Sequence, residues 1–159
     1  MAERHMHPDT DEEALAAAKE DAREGKSPST QAGEFVREEM HHIREGKHGA
    51  RSTKQAIAIG LSKARREGVA LPPPKKGTAS AKTRKSAARA LARGRKGISK
   101  VSPKRSRATE KALRREGRSA ASKRALARQA RSTARRRGAA ARSRAAKKAA
   151  RTRARSRKR

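Results

Sequence analysis

The fold is decided by residues 33–71, GEFVREEMHHIREGKHGARSTKQAIAIGLSKARREGVAL. Val36, Met40 and Ile43 stand at i, i+4 and i+7, one face of a helix, and Gly46 suits the left-handed position that ends it. Gly49 lies in a short loop, Lys47 to Arg51. Ser52 then starts a second helix, with Gln55 at capping-box spacing. Ile57, Leu61 and Ala64 repeat the i, i+4, i+7 pattern. Gly68 stops the helix, and Pro72-Pro73-Pro74 prevents continuation. The spacing predicts a small helical hairpin. Its large apolar residues are Phe35, Val36, Met40, Ile43, Ile57, Ile59, Leu61, Val69 and Leu71, which makes a thin core. Ile59 points away from the Ile57/Leu61 face, so a homodimer contact or a protein partner of the hairpin is expected to cover it.

Toward the N-terminus, residues 1–32 hold 8 acids and 4 cations. Thr10 and Glu13 have capping-box spacing, and Asp11, Glu12 and Glu13 fall where the helix dipole favours anions. The Ala-rich run 14–18 propagates the helix and Gly25 ends it. With Leu15 as its one large apolar residue, this acidic extension reads as weakly helical and solvated. Its opposite charge predicts that it folds back on the C-terminal half.

Residues 72–159 hold 34 cations and 2 acids. The composition is Ala, Arg, Lys and Ser, interrupted by Gly77, Gly94, Gly97, Gly117 and Gly138. Helical stretches fit at 82–93, 106–116 and 119–137, since Ala and Arg are strong helix formers. Like charges crowded at i, i+4 oppose them. The expected fold class is therefore mostly α where ordered: a helical hairpin (33–71) flanked by the acidic segment (1–32) and a long disordered basic tail (72–159).

The whole chain of 159 residues carries 46 Lys and Arg against 15 Asp and Glu, a formal charge of +31, with one aromatic residue and no Cys. Such charge is a statement about partners, and the abundant cellular polyanions are nucleic acids. Zero Cys excludes disulfides and thiolate metal sites. No run reaches the ~18 apolar residues of a membrane helix, and the opening residues have no apolar secretory run. A cytoplasmic, nucleoid-located protein is expected, with no membrane and no small-molecule substrate among its partners.

Candidate phosphate contacts follow from the clusters. In the tail they are Arg114 and Arg115, Arg135, Arg136 and Arg137, Lys147 and Lys148, and Arg155, Arg157, Lys158 and Arg159. Arg pairs with phosphate through a planar bidentate fork. Ser102, Pro103, Lys104 and Arg105 form a Ser-Pro-basic turn that resembles the Ser-Pro-Lys-Lys units of linker-histone tails. Lys54, Lys63, Arg65 and Arg66 decorate the second hairpin helix as phosphate contacts or as a solvated face. Base-specific reading is not expected, because stacking needs aromatic platforms and Phe35 is assigned to the core.

His5, His7, His41 and His42 raise a metal question. Adjacent helical positions diverge by about 100°, and no Cys completes a site, so no metal and no cofactor is expected. No glycine-rich phosphate loop and no nucleophile with a positioned base is present, so no enzymatic activity is expected.

The run Thr53-Lys54-Gln55-Ala56-Ile57-Ala58-Ile59-Gly60-Leu61-Ser62-Lys63-Ala64-Arg65, preceded by Val36-Arg37-Glu38-Glu39-Met40, resembles a box T-x-[RK]-Q-A-I-A-I-[AG]-L-S-x-A-R. That box marks a family of small uncharacterised bacterial proteins, often labelled DNA-binding or plasmid-stabilisation proteins. The resemblance implies a bacterial setting and a helical hairpin. The tail separately resembles bacterial linker-histone-like proteins by composition. The expected function is a nucleoid-associated, sequence-nonspecific DNA-binding protein acting by phosphate neutralisation. The alternatives are an RNA- or ribosome-associated basic protein, or a plasmid-maintenance or regulatory protein whose hairpin binds a partner.

Overall fold

The computed structural model describes residues 10–97 and 102–157, which form helices without a β-strand among them. In chain order these are α1 (Thr10–Arg23), α2 (Pro28–Glu45), α3 (Thr53–Arg66), α4 (Ala81–Lys96), α5 (Pro103–Arg114), a 3-10 turn (Ser119–Ala121) and α6 (Lys123–Ser156). The chain divides into two compact units, Met1–Ala121 and Ser122–Arg159.

The expected hairpin is present as α2 and α3. Gly46 takes the left-handed conformation (φ 82°) that closes α2. The Ser52 hydroxyl accepts from the Gln55 N–H at 3.2 Å, and the Gln55 side-chain oxygen accepts from the Arg51 N–H at 2.8 Å. Helix α2 starts earlier than its apolar stripe suggests, because Pro28 occupies the first turn, where a missing N–H is harmless.

The contact between the two helices differs from the predicted stripes. Helix α3 turns its small residues inward: Thr53, Ala56, Gly60 and Ala64 are buried, whereas Ile57, Ile59 and Leu61 are half-buried. A Cβ at Gly60 would lie 2.7 Å from the Val36 Cα. The backbones therefore approach at a distance that only glycine permits. The buried face of α2 is Ala32, Phe35, Glu39, Met40, His42 and Ile43, and Val36 is half-buried.

The acidic segment is an integral part of the first unit. Helix α1 packs on α2. Its Ala14 and Ala18 join Ala32, Phe35, Ala64 and Val69 in the core, with Leu15, Leu61 and Leu71 packed beside them. Alanine suffices here because the helices lie close. Gly25 is left-handed (φ 73°), as its position predicts. Several of the acids are held locally: Lys26 Nζ meets Asp21 at 2.7 Å and Glu24 at 2.6 Å. These two carboxylates push the Lys26 pKa above its usual range.

The expectation of a disordered tail is corrected, since α4, α5 and α6 all fall within residues 72–159. Local chemistry explains them. Ser80 and Ser122 cap α4 and α6 by accepting from the N–H of Thr83 and Ala125. Pro103 opens α5. Ala and Arg favour the helix throughout, and long exposed side chains carry the repelling charges out into water. Tertiary contact adds to this at α4, which packs on α3. Ala87 and Ala90 are buried, and a Cβ on Gly94 would overlap the Arg65 carbonyl.

Residues 113–121 also belong to the first unit. Gly49 N–H donates to the Leu113 carbonyl at 2.9 Å, and Ala50 N–H to that of Gly117 at 3.1 Å. The Thr53 hydroxyl donates to the Ala120 carbonyl at 2.7 Å, and Arg44 Nε to that of Ala121 at 2.9 Å. Among the described residues, no helix is long and apolar enough to cross a membrane.

Candidate nucleic-acid interface

The second unit is built for charge. Ser122–Arg159 contains 17 Lys and Arg and no acid. In the first part of α6, Arg124, Arg128, Arg131 and Arg135 stand at i, i+4, i+7 and i+11. This spacing gathers them on one side of the helix, and all four are exposed. At 1.5 Å per residue the row spans about 16 Å. Arg128, Arg131 and Arg135 line a surface groove with Ser132 and Arg136.

Gly138 interrupts α6 with φ 71° and ψ 166°, a backbone region essentially reserved for glycine. Beyond it the pattern repeats twenty residues on, as Arg144, Lys148, Arg151 and Arg155, again all exposed. Adjacent pairs and triplets of cations stand out along the sequence, whereas these two rows do not. The signal was present, but it emerges only once the helix makes a 3.6-residue period meaningful.

The cations assigned from sequence fall into four groups. Arg135, Arg136, Arg137, Lys147, Lys148, Arg155 and Arg157 are exposed in the second unit. Lys158 and Arg159 lie outside the described residues. Lys54, Arg66, Lys104, Arg105, Arg114 and Arg115 are exposed in the first unit. Arg114 pairs with Glu110 at 2.6 Å. Arg65 and Lys63 face inward.

Arg65 is 6% exposed. Its guanidinium donates to the carbonyls of Leu71 (3.0 Å), Pro72 (3.2 Å) and Leu61 (3.4 Å), tying the Pro-rich segment onto α3. Burial lowers its pKa from the usual arginine value, yet arginine stays charged at any physiological pH. Lys63 Nζ lies 3.2 Å from the fully buried Glu39 carboxylate. The Ser-Pro-basic element is also not a free turn. Ser102 is the N-cap residue and Pro103 the first residue of α5, so Lys104 and Arg105 project from a helix's first turn. Proline's fixed φ and missing N–H suit that position.

The chain's single aromatic residue, Phe35, is 1% exposed and offers no stacking platform. The histidines sort differently from their order in sequence. His41 is exposed, while His42 is buried near His48 from the α2–α3 loop, the ring centroids 6.1 Å apart. His48 Nε2 lies 3.3 Å from Glu39 Oε1.

No curated protein and no solved structure matches the chain. Residues 27–76, which contain α2, α3 and the Pro-rich segment, match a family described as a family of unknown function (DUF6496).

Proposed function

We propose that the protein is a nucleoid-associated factor that binds DNA through the phosphate backbone without reading base sequence. The observation that carries this is the second unit: 17 cations, no acid, and two exposed rows of four at helical spacing. Arginine-rich rows match phosphates by bidentate pairing, and neutralised phosphates release condensed counterions. The buried Phe35 argues against base stacking as the binding mode. Exposed cations of α5 add further backbone contacts, and the first unit serves as the folded platform that carries them.

A salt titration of the full chain tests this on duplex DNA, single-stranded DNA and RNA of equal length. If about 10 phosphates are engaged, the slope of log K against log salt on duplex DNA is near −9. A slope near zero, or affinity that survives molar salt, overturns the proposal. Clear preference for RNA assigns the same backbone chemistry to an RNA-associated role instead.

A further inference from the structure

We propose that Glu39, His42 and His48 form a binding site for a Zn²⁺-type divalent cation, one that pins the α2–α3 loop to α2. Glu39 and His42 stand at i and i+3 on the inner face of α2. His48 reaches them from the loop once Gly46 has turned the chain. Potential ligand atoms of the three residues lie within 4.8 Å of one another. Metal–ligand bonds of about 2.0–2.1 Å place the donors of a tetrahedral site about 3.3 Å apart. The separation of Glu39 Oε1 and His48 Nε2 is already 3.3 Å.

The surroundings suit ligation. Glu39 is fully buried, and Lys63 Nζ (3.2 Å from Oε2) and His48 Nε2 (3.3 Å from Oε1) stand at ion-pair distance without closing a hydrogen bond to either oxygen. A buried carboxylate needs cationic partners, and an ion on the Oε1 side would add to the charge that Lys63 supplies on Oε2. Both imidazoles have outer partners of the kind that orient metal-binding histidines. His48 Nδ1 lies 3.1 Å from the Gly49 carbonyl, and His42 Nε2 lies 3.1 Å from Glu38 Oε1. If His48 donates through Nδ1, its Nε2 lone pair faces Glu39 and the site. Lys63 compensates Glu39 on the other oxygen, Oε2, which leaves Oε1 for the ion. Two nitrogens and one carboxylate oxygen form a donor set that zinc accepts, with water as the fourth ligand. Because the site joins a loop to a helix, its binding free energy becomes folding free energy.

The test is Zn²⁺ titration of the full-length chain by calorimetry, with Co²⁺ absorption and X-ray absorption spectroscopy of the wild type. The expected result is one saturable site with two imidazole ligands and a raised melting temperature. Glu38→Gln, at a half-buried position, should weaken binding about tenfold by replacing the carboxylate partner of His42 with a neutral amide. The His42→Gln/His48→Gln double variant should weaken it further. A His5→Gln/His7→Gln variant should bind as the wild type does. The proposal is overturned if the wild type shows no saturable site or no imidazole coordination. Full-strength binding by the His42/His48 double variant, or loss of binding in the His5/His7 variant, overturns it as well.

Discussion

Gly60 is where one missing methyl group sets the distance between two helices. A Cβ there would press on the Val36 Cα at 2.7 Å, and backbone has little room to give. Gly60→Val should therefore destabilise the first unit by about 1–3 kcal/mol, read as a lower urea midpoint. Arg65 makes a complementary case. Three carbonyls depend on its guanidinium. Arg65→Ala leaves them without that donor and should cost about 1–3 kcal/mol. DNA affinity under conditions where the variant is folded should stay within twofold of wild type. A large loss of affinity without loss of stability would place Arg65 at the interface after all. Arg66, next in sequence, is exposed. Identical chemistry at adjacent positions thus has opposite surroundings, because a helix turns 100° per residue.

Helix ends and close approaches govern the next scale. The segment 113–121 is held by backbone hydrogen bonds from Gly49 and Ala50 and by side chains of Thr53 and Arg44. A Cβ at Gly49 would overlap the Glu116 carbonyl. Gly49→Ala should release this segment, seen as faster amide hydrogen exchange across 113–121 while α1 and α2 keep their protection. Unchanged exchange would show that the close approach is not required. Within α6, alanine cannot comfortably hold the backbone of Gly138. Gly138→Ala should convert the break into continuous helix and strengthen the far-UV helical signal; a weaker signal would count against that. It would also fix the rows at Arg124–Arg135 and Arg144–Arg155 on one rod, so a change in DNA affinity would report whether their independent orientation matters.

For the molecule as a whole, charge is distributed unequally between the units. All 15 acids lie in Met1–Ala121. Several are paired there, as Asp21 and Glu24 are with Lys26 and Glu39 is with Lys63. Ending the chain after Ala121 should leave the first unit folded, since its core and segment 113–121 remain intact, and should remove most DNA affinity. Replacing Arg124, Arg128, Arg131 and Arg135 together with Gln should make the salt slope shallower by about 3–4, near one per lost phosphate contact. A slope unchanged by that replacement would show that the row does not touch DNA.

Much of this architecture was legible in the sequence. Gly46 and Gly68 as stops, Ser52 with Gln55 as a start, and the Pro-rich segment as a terminator are local signals that act over three or four residues. Net charge is additive and needs no fold, so the proposed partner class came directly from counting. Other features appeared only in three dimensions. The α2–α3 contact runs through Ala56, Gly60 and Ala64 because two backbones can come close there, a fact about pairs of helices that the Ile57/Leu61 pattern hid. Glu39, His42 and His48 meet because a left-handed glycine returns the loop over its own helix. Arg65 turned inward because carbonyls of the following segment needed a donor. Local propensity and charge are properties of neighbouring residues, whereas burial belongs to whatever distant backbone arrives alongside.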